Sequence, residues 1–169
     1  TNANYITVWG DYAYVSTNSP SPTVPYDTWT NAALVLANAI TEAPAGITVV
    51  LSNGTYHIAD EIVVDKAITV TSYGNGVYGG LANATNTVVD GPANLQSAGP
   101  RVFSVTHADA VLDGLTITDG YGRLKGLGVN MTGGLVRNCI IRENGALNSN
   151  TDHANGGGVY MTGGVVSNC

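Results

Sequence analysis

A fourteen-residue segment of this chain is written twice. GLGVNMTGGLVRNC at 126–139 returns thirty positions later as GGGVYMTGGVVSNC at 156–169, with ten of the fourteen positions identical. A unit this short cannot bury its own apolar residues, so neighbouring copies must stack to make a core. A degenerate earlier copy runs through 102–106 and 111–118, and aligning Leu115 on Cys139 gives a spacing of 24. From Ile68 to Leu115 is 47 residues, about two such turns.

From residue 47 onward the chain is short β runs broken by Gly and Asn, at 47–51, 62–64, 68–71, 87–89, 102–105, 111–112 and 115–118. Such runs are too short for stable hairpins, and few two-residue hairpin turns separate them. Three short strands per period of 24 to 30 residues therefore predict an all-β fold, a parallel β-helix solenoid. Each coil would advance by one strand spacing, roughly 4.8 Å, and equivalent residues would stack. Val129 would lie on Val159, Met131 on Met161 and Asn138 on Asn168, with the Val and Met side chains filling the bore. Residues 144–155 read as a polar loop outside the coil. Upstream, 5–9 and 12–15 read as strands and 18–22 as a Pro-rich loop. A helix follows, capped by Asp27 or Thr28, with Trp29, Ala33, Leu36, Ile40 and Ala43 on one face and Pro44 and Gly46 ending it.

Composition narrows the function classes. Charged residues are 11% of the chain, against roughly 25% in ordinary soluble domains. With six Lys and Arg and a net charge of −6, no basic patch exists to bind nucleic acid by counterion release. No apolar run reaches the roughly 18 residues of a membrane span. Asn, Thr, Ser and Gly carry the polar surface, which is commoner outside cells. The first residues, TNANY, lack an initiator Met and a signal core, so the chain is expected to be secreted, with its signal peptide already removed. A trimmed cytosolic chain is the alternative.

Three stretches resemble right-handed parallel β-helix proteins of the pectate-lyase-like superfamily, in particular large secreted bacterial β-helix surface proteins. They are YVS at 14–16 with PYDTWTNAA at 25–33 and APAG at 43–46, ITVVLSNGTY at 47–56, and LDGLTITDG at 112–120 with the two GGV…NC copies. The resemblance implies a right-handed solenoid of 24–30 residues per coil whose N-terminal end is covered by an amphipathic helix over 28–43. Trp29, Leu36 and Ile40 would then be buried against 47–51. Residues 1–46 would form the strands, loop and cap, and 47–169 the coils, ending mid-coil without a C-terminal cap. The fold itself hosts lyases, hydrolases, adhesins and inert spacers.

No catalytic or metal set stands out among the candidate groups. Lyase chemistry of that family needs carboxylates around calcium and an Arg base. Asp90, Asp109, Asp113 and Asp119 are the available acids and Arg137 and Arg142 the bases, yet Asp90-Gly91 and Asp113-Gly114 read better as turns. No catalytic residue, metal ligand or cofactor is therefore assigned; calcium is conceivable but has no motif. His57 and His107 are scattered. Tyr5, Trp9, Tyr12, Tyr14, Tyr26 and Trp29 crowd the first thirty residues and could form a sugar-stacking platform, with Trp9, Tyr12 and Tyr14 the candidate binding residues, since aromatic faces suit pyranose rings, and Asp152 with His153 could bind a sugar or metal. Packing between the cap helix and the first coil is the favoured role for these aromatics, and sugar stacking the alternative. Val159, Met161 and Cys169 form the expected open end, offered to a continuation of the chain or to another copy. Cys139 and Cys169 are expected to be two free, buried thiols one coil apart. The function expected is a secreted, non-catalytic surface or structural protein that associates with itself. The alternatives are a polysaccharide lyase or hydrolase with its catalytic residues beyond this segment, and a carbohydrate-binding module.

Overall fold

The computed structural model describes residues 7–92, 100–122, 124–146 and 157–169. Its strands lie in separate sheets. The largest contains, in spatial order, β1 (Tyr12–Val15), β2 (Thr48–Ser52), β5 (Thr69–Gly74), β9 (Val111–Asp113), β13 (Leu135–Arg137) and β17 (Val165–Ser167), with β6 (Val77–Tyr78) antiparallel to β5. A second sheet orders β3 (Gly54–His57), β7 (Thr87–Asp90), β10 (Thr116–Thr118) and β14 (Ile140–Ile141). A third orders β4 (Ile62–Val64), β8 (Phe103–Val105), β12 (Val129–Met131) and β16 (Val159–Met161). A small pair joins β11 (Tyr121–Gly122) to β15 (Gly145–Ala146). Two short helices, α1 (Leu36–Glu42) and α2 (Leu81–Ala84), complete the described elements. The fold is β-rich and, apart from the β5–β6 hairpin, parallel.

This corrects the expected architecture. Instead of a single solenoid with a long amphipathic cap, the chain forms distinct parallel sheets with two brief helices. Left-handed residues set the sheet boundaries. Gly114, Asn138 and Asn168, with φ of 73°, 53° and 51°, follow β9, β13 and β17. Asp119 and Glu143, at 58° and 56°, lie just past β10 and β14. Each turns the chain after two or three paired residues, so no strand runs on into the next sheet.

The repeat's register holds where the two copies are nearly identical. Val129 pairs with Val159, Asn130 with Tyr160 and Met131 with Met161. Burial does not follow on both copies: Val129 and Met131 are fully buried, whereas Met161 is 44% exposed and Val159 half-buried. β16 is the edge strand of its sheet, and among the described residues β12 alone pairs with it. The spacing of 47 from Ile68 to Leu115 is also corrected. In the large sheet successive strands are offset by 21, 42, 24 and 30 residues (Thr48 to Thr69, Thr69 to Val111, Val111 to Leu135, Leu135 to Val165). Ile68 precedes β5 in the first sheet and Leu115 precedes β10 in the second, so they are not equivalent.

The helix is shorter than its apolar spacing predicts. Residues 28–33 hydrogen-bond elsewhere: Ala33 N–H donates to Tyr14 O at 2.9 Å, and Ser16 N–H donates to Ala33 O at 2.9 Å. That strand-like clasp on β1 pre-empts the first turns, so α1 begins after Val35. Leu36, Ile40 and Ala43 are buried as expected, and Ala39 with them, but Trp29 is 37% exposed. Lys66 closes the helix, its Nζ donating to the carbonyls of Ile40, Thr41 and Ala43 at 2.7, 3.0 and 2.6 Å. A cation on the last carbonyls suits a helix C-terminus. The expected strand at 5–9 does not form over 7–9, and residues 5 and 6 lie outside the described residues. The core is one continuous cluster, from Ala13 and Val15 through Val49, Val70, Phe103 and Leu112 to Val136 and Cys139.

Candidate functional site

On the outer surface of β1 and β5 five aromatic side chains close into a circuit. Tyr12 and Tyr14 project outward from β1, while Ala13 and Val15 between and beyond them are buried, as strand alternation requires. Tyr12 stacks on Tyr78 with centroids 5.4 Å apart and planes at 10°. Tyr12 lies 6.3 Å from Tyr14, Tyr14 4.4 Å from Trp29, Trp29 5.8 Å from Tyr73, and Tyr73 5.0 Å from Tyr78. Tyr12, Trp29 and Tyr78 are 38%, 37% and 46% exposed. The phenol of Tyr78 is raised above its ordinary value by desolvation among its neighbours and by the charge and hydrogen bond of Tyr14.

A tight turn delivers two of these rings. Asn75 and Gly76 have φ of 53° and 78°, and Gly74 pairs with Val77 across them. This is the two-residue hairpin that Asn-Gly favours, and it sets Tyr73 opposite Tyr78. Trp29 arrives because residues 28–33 fold against β1 rather than into a helix.

Beside the rings lies a broad, shallow depression of about 490 Å³. Trp29 and Tyr73 form part of its wall, so it is continuous with the aromatic circuit, and Ser16, Asn18, Asn53 and Asn75 supply polar groups. Asn18, Asn53 and Asn75 are exposed. Their side-chain amides make no hydrogen bond to the protein among the described residues. Several other Asn amides are committed: Asn31 to Asp27, Asn83 to the carbonyls of Val77 and Gly79, Asn144 to those of Ile117 and Arg142.

A somewhat larger groove of about 590 Å³ runs between the start of α1 and residues 55–62. Leu34, Val35 and Ile58 give it aliphatic walls, and its Glu61 is tied to Arg101 Nη1 at 3.0 Å. His57 on its wall pairs across strands with Asp90, Nδ1 to Oδ2 2.6 Å. Asn38 and Asp60 on it also make no side-chain hydrogen bond among the described residues, but no exposed Trp, Tyr or Phe lines it.

Of the carboxylates weighed for catalysis, Asp90, Asp113 and Asp119 are engaged, and Asp109 is exposed. Asp113, only 7% exposed, accepts from Arg137 Nε at 2.9 Å, from Asn138 Nδ2 at 2.7 Å and from the Gly80 N–H at 3.0 Å. The ladder continues as Asn168 Nδ2 donates to Asn138 Oδ1 at 2.6 Å. Asp113 is thus more than a turn residue: it ties three layers together, and Arg137 is occupied in holding it. Asp119 accepts from Thr118 and Glu143 from Arg142. Among the described residues no group of three or more His, Cys, Asp or Glu side chains converges on a common point.

Of the residues singled out from the sequence, Tyr12 and Tyr14 belong to the aromatic site and Trp9 does not; Trp9 is half-buried and packs on the core. Asp152 and His153 lie outside the described residues. Val159 and Met161 lie on β16 and Cys169 just past β17, each the edge strand of its own sheet. Cys139 and Cys169 are free, Cys139 buried but Cys169 exposed, which corrects the expectation of two buried thiols. Sequence reasoning missed Tyr73 and Tyr78 as site residues; Trp29 belongs to the N-terminal aromatic group it singled out, of which Tyr26 is buried. The signal for Tyr73 and Tyr78 was present in YGNGVY at 73–78, an Asn-Gly turn flanked by Tyr on both strands.

No protein-family model matches this chain, and no curated protein or solved structure matches it. No described helix is long and apolar enough to cross a membrane.

Proposed function

We propose that this chain is a non-catalytic extracellular scaffold that binds polysaccharide through its aromatic face. The observation that carries the reading is the circuit of five rings, three of them more than one-third exposed, opening onto a depression with free amides. Aromatic faces take the C–H face of a pyranose, and the adjoining polar groups take its hydroxyls. Parallel strands stacked in register give the rings a rigid support, which lowers the ordering cost of binding.

Affinity electrophoresis through gels containing single polysaccharides tests this. At least one polymer should retard the protein, and Trp29→Ala should weaken that retardation about tenfold or more, a change of about 1.4 kcal/mol. No reducing ends should be released on prolonged incubation. Free migration through every polymer, or cleavage of one, would sink the reading.

A second reading rests on a different observation. Met161 and Val165, 44% and 55% exposed, lie on the edge strands β16 and β17. Edge strands with exposed apolar side chains add further strands readily. A second copy docking there head to tail would build filaments. Light scattering that rises with concentration, and is suppressed by Val165→Lys, is the expected result.

A further inference from the structure

We infer that the aromatic site selects uncharged glycan chains and rejects acidic ones, an inference that rests on the polysaccharide-binding reading. The argument is electrostatic. Among the described residues, none of the five rings or the groups lining the adjoining depression is charged. The ionisable residues nearest in sequence are the acids Asp11, beside Tyr12, and Asp27, two positions before Trp29. With a net charge of −6, the protein repels a polyanion, and no Arg or Lys in the depression offers a uronate carboxylate the bidentate or point-charge contact it needs.

The amides supply the complementary half. Asn18, Asn53 and Asn75 each carry two donors and an acceptor, and none is used within the protein among the described residues. A sugar hydroxyl both donates and accepts, so an amide suits it better than it suits a carboxylate, which only accepts. Trp29 and Tyr73 are shared by the circuit and the depression. A chain lying across them meets apolar rings on one side and amides on the other. Replacing the amides therefore removes hydrogen bonds to ligand without exposing any internal partner.

Affinity electrophoresis of the whole chain against hydroxyethyl cellulose and galactomannan, beside polygalacturonate and alginate, tests the inference at low and at moderate salt. Retardation by an uncharged polymer, none by the acidic pair, and no dependence on salt is the expected pattern. Asn53→Ala with Asn75→Gly, which keeps the left-handed turn open, should weaken the uncharged interaction about tenfold with an unchanged melting temperature. Binding to an acidic polymer as tight as to the uncharged ones, or amide variants that bind as the parent does, would overturn this selectivity and leave the polysaccharide reading standing. Binding to none of the four would overturn both.

Discussion

Two polar clusters border the large sheet, and they spend their hydrogen bonds differently. In the corner beyond β9 and β13, Asp113, Arg137, Asn138 and Asn168 satisfy one another across successive layers. In the depression beside β5, Asn18, Asn53 and Asn75 satisfy nothing in the protein among the described residues. The first pattern is how a fold keeps buried polar groups tolerable. The second leaves donors and acceptors facing outward beside exposed rings, which is how a surface recognises a ligand. Residue type alone does not separate the two, since Asn supplies both; only the partners do.

Removing a member of the corner should therefore unfold, and removing a member of the depression should not. Asp113→Ala leaves the Arg137 guanidinium, the Asn138 amide and the Gly80 N–H without their acceptor. A cost of about 3 kcal/mol is expected, the low end for a broken buried pair because Arg137 is half exposed. Urea denaturation reads it, with glycan retardation by the folded fraction unchanged. A shift within noise would show that the corner is not structural.

Asn138→Ala comes next. It forces alanine to φ near 53° and deletes both links of the ladder, for about 2 kcal/mol together. Asn138→Gly relieves the backbone part and should recover about half of the loss. Equal destabilisation by the two variants would mean that the ladder bonds, not the left-handed backbone, hold the corner.

Trp29 bridges the comparison because it both packs and is exposed. Trp29→Ala loses ring contacts with Tyr14 and Tyr73, costing about 1 kcal/mol of stability, while its larger effect is on retardation. Asn53→Ala should be the quietest in stability, within about 0.5 kcal/mol. A thermal shift of several degrees for Asn53→Ala would place that amide in the structural class and break the distinction.

How far the sequence exposes these features depends on how local their causes are. The pairing of Val129 with Val159 and Met131 with Met161 is legible because a near-identical repeat must present identical residues at stacked positions. Strands such as Ile62–Val64 and Thr116–Thr118 are legible from β-branched runs between turn residues. The division into separate sheets is less so, since it depends on left-handed backbone at Asn138, Asp119, Glu143 and Asn168, which most residue types adopt only under tertiary constraint. The helix over 28–43 fails for the same reason. Its apolar spacing is real, but Ala33 is captured by β1, a contact that periodicity does not register. The aromatic site joins residue 12 to residue 78 through three segments, so Tyr12, Tyr14 and Trp29, which share the aromatic N-terminal stretch, could be grouped in advance and Tyr73 and Tyr78 could not.

The smallest effect reads the corner most finely. Cys139 and Cys169 directly follow Asn138 and Asn168, and each thiol lies close to the carbonyl two residues before it, Cys139 at 3.1 Å and Cys169 at 3.2 Å. The Cys169 thiol is lowered to about 6 by its hydrogen bond with Cys139, helped by the Cys139 N–H, which donates to its sulfur at 3.4 Å. Cys139 is pushed up by the same thiol–thiol bond and by burial. The thiolate is the nucleophile, so at neutral pH Cys169 should be mostly reactive and Cys139 inert. Iodoacetamide followed by mass spectrometry should add one label per chain, at a rate that rises through about pH 6 and is level above about pH 7. Asn138→Ala, by loosening the layer that supplies those hydrogen bonds, should move that rise upward toward the ordinary thiol value of about 8.5. Two labels at equal rates, or a rise that stays put in Asn138→Ala, would mean the amide ladder and the thiol pair are independent features.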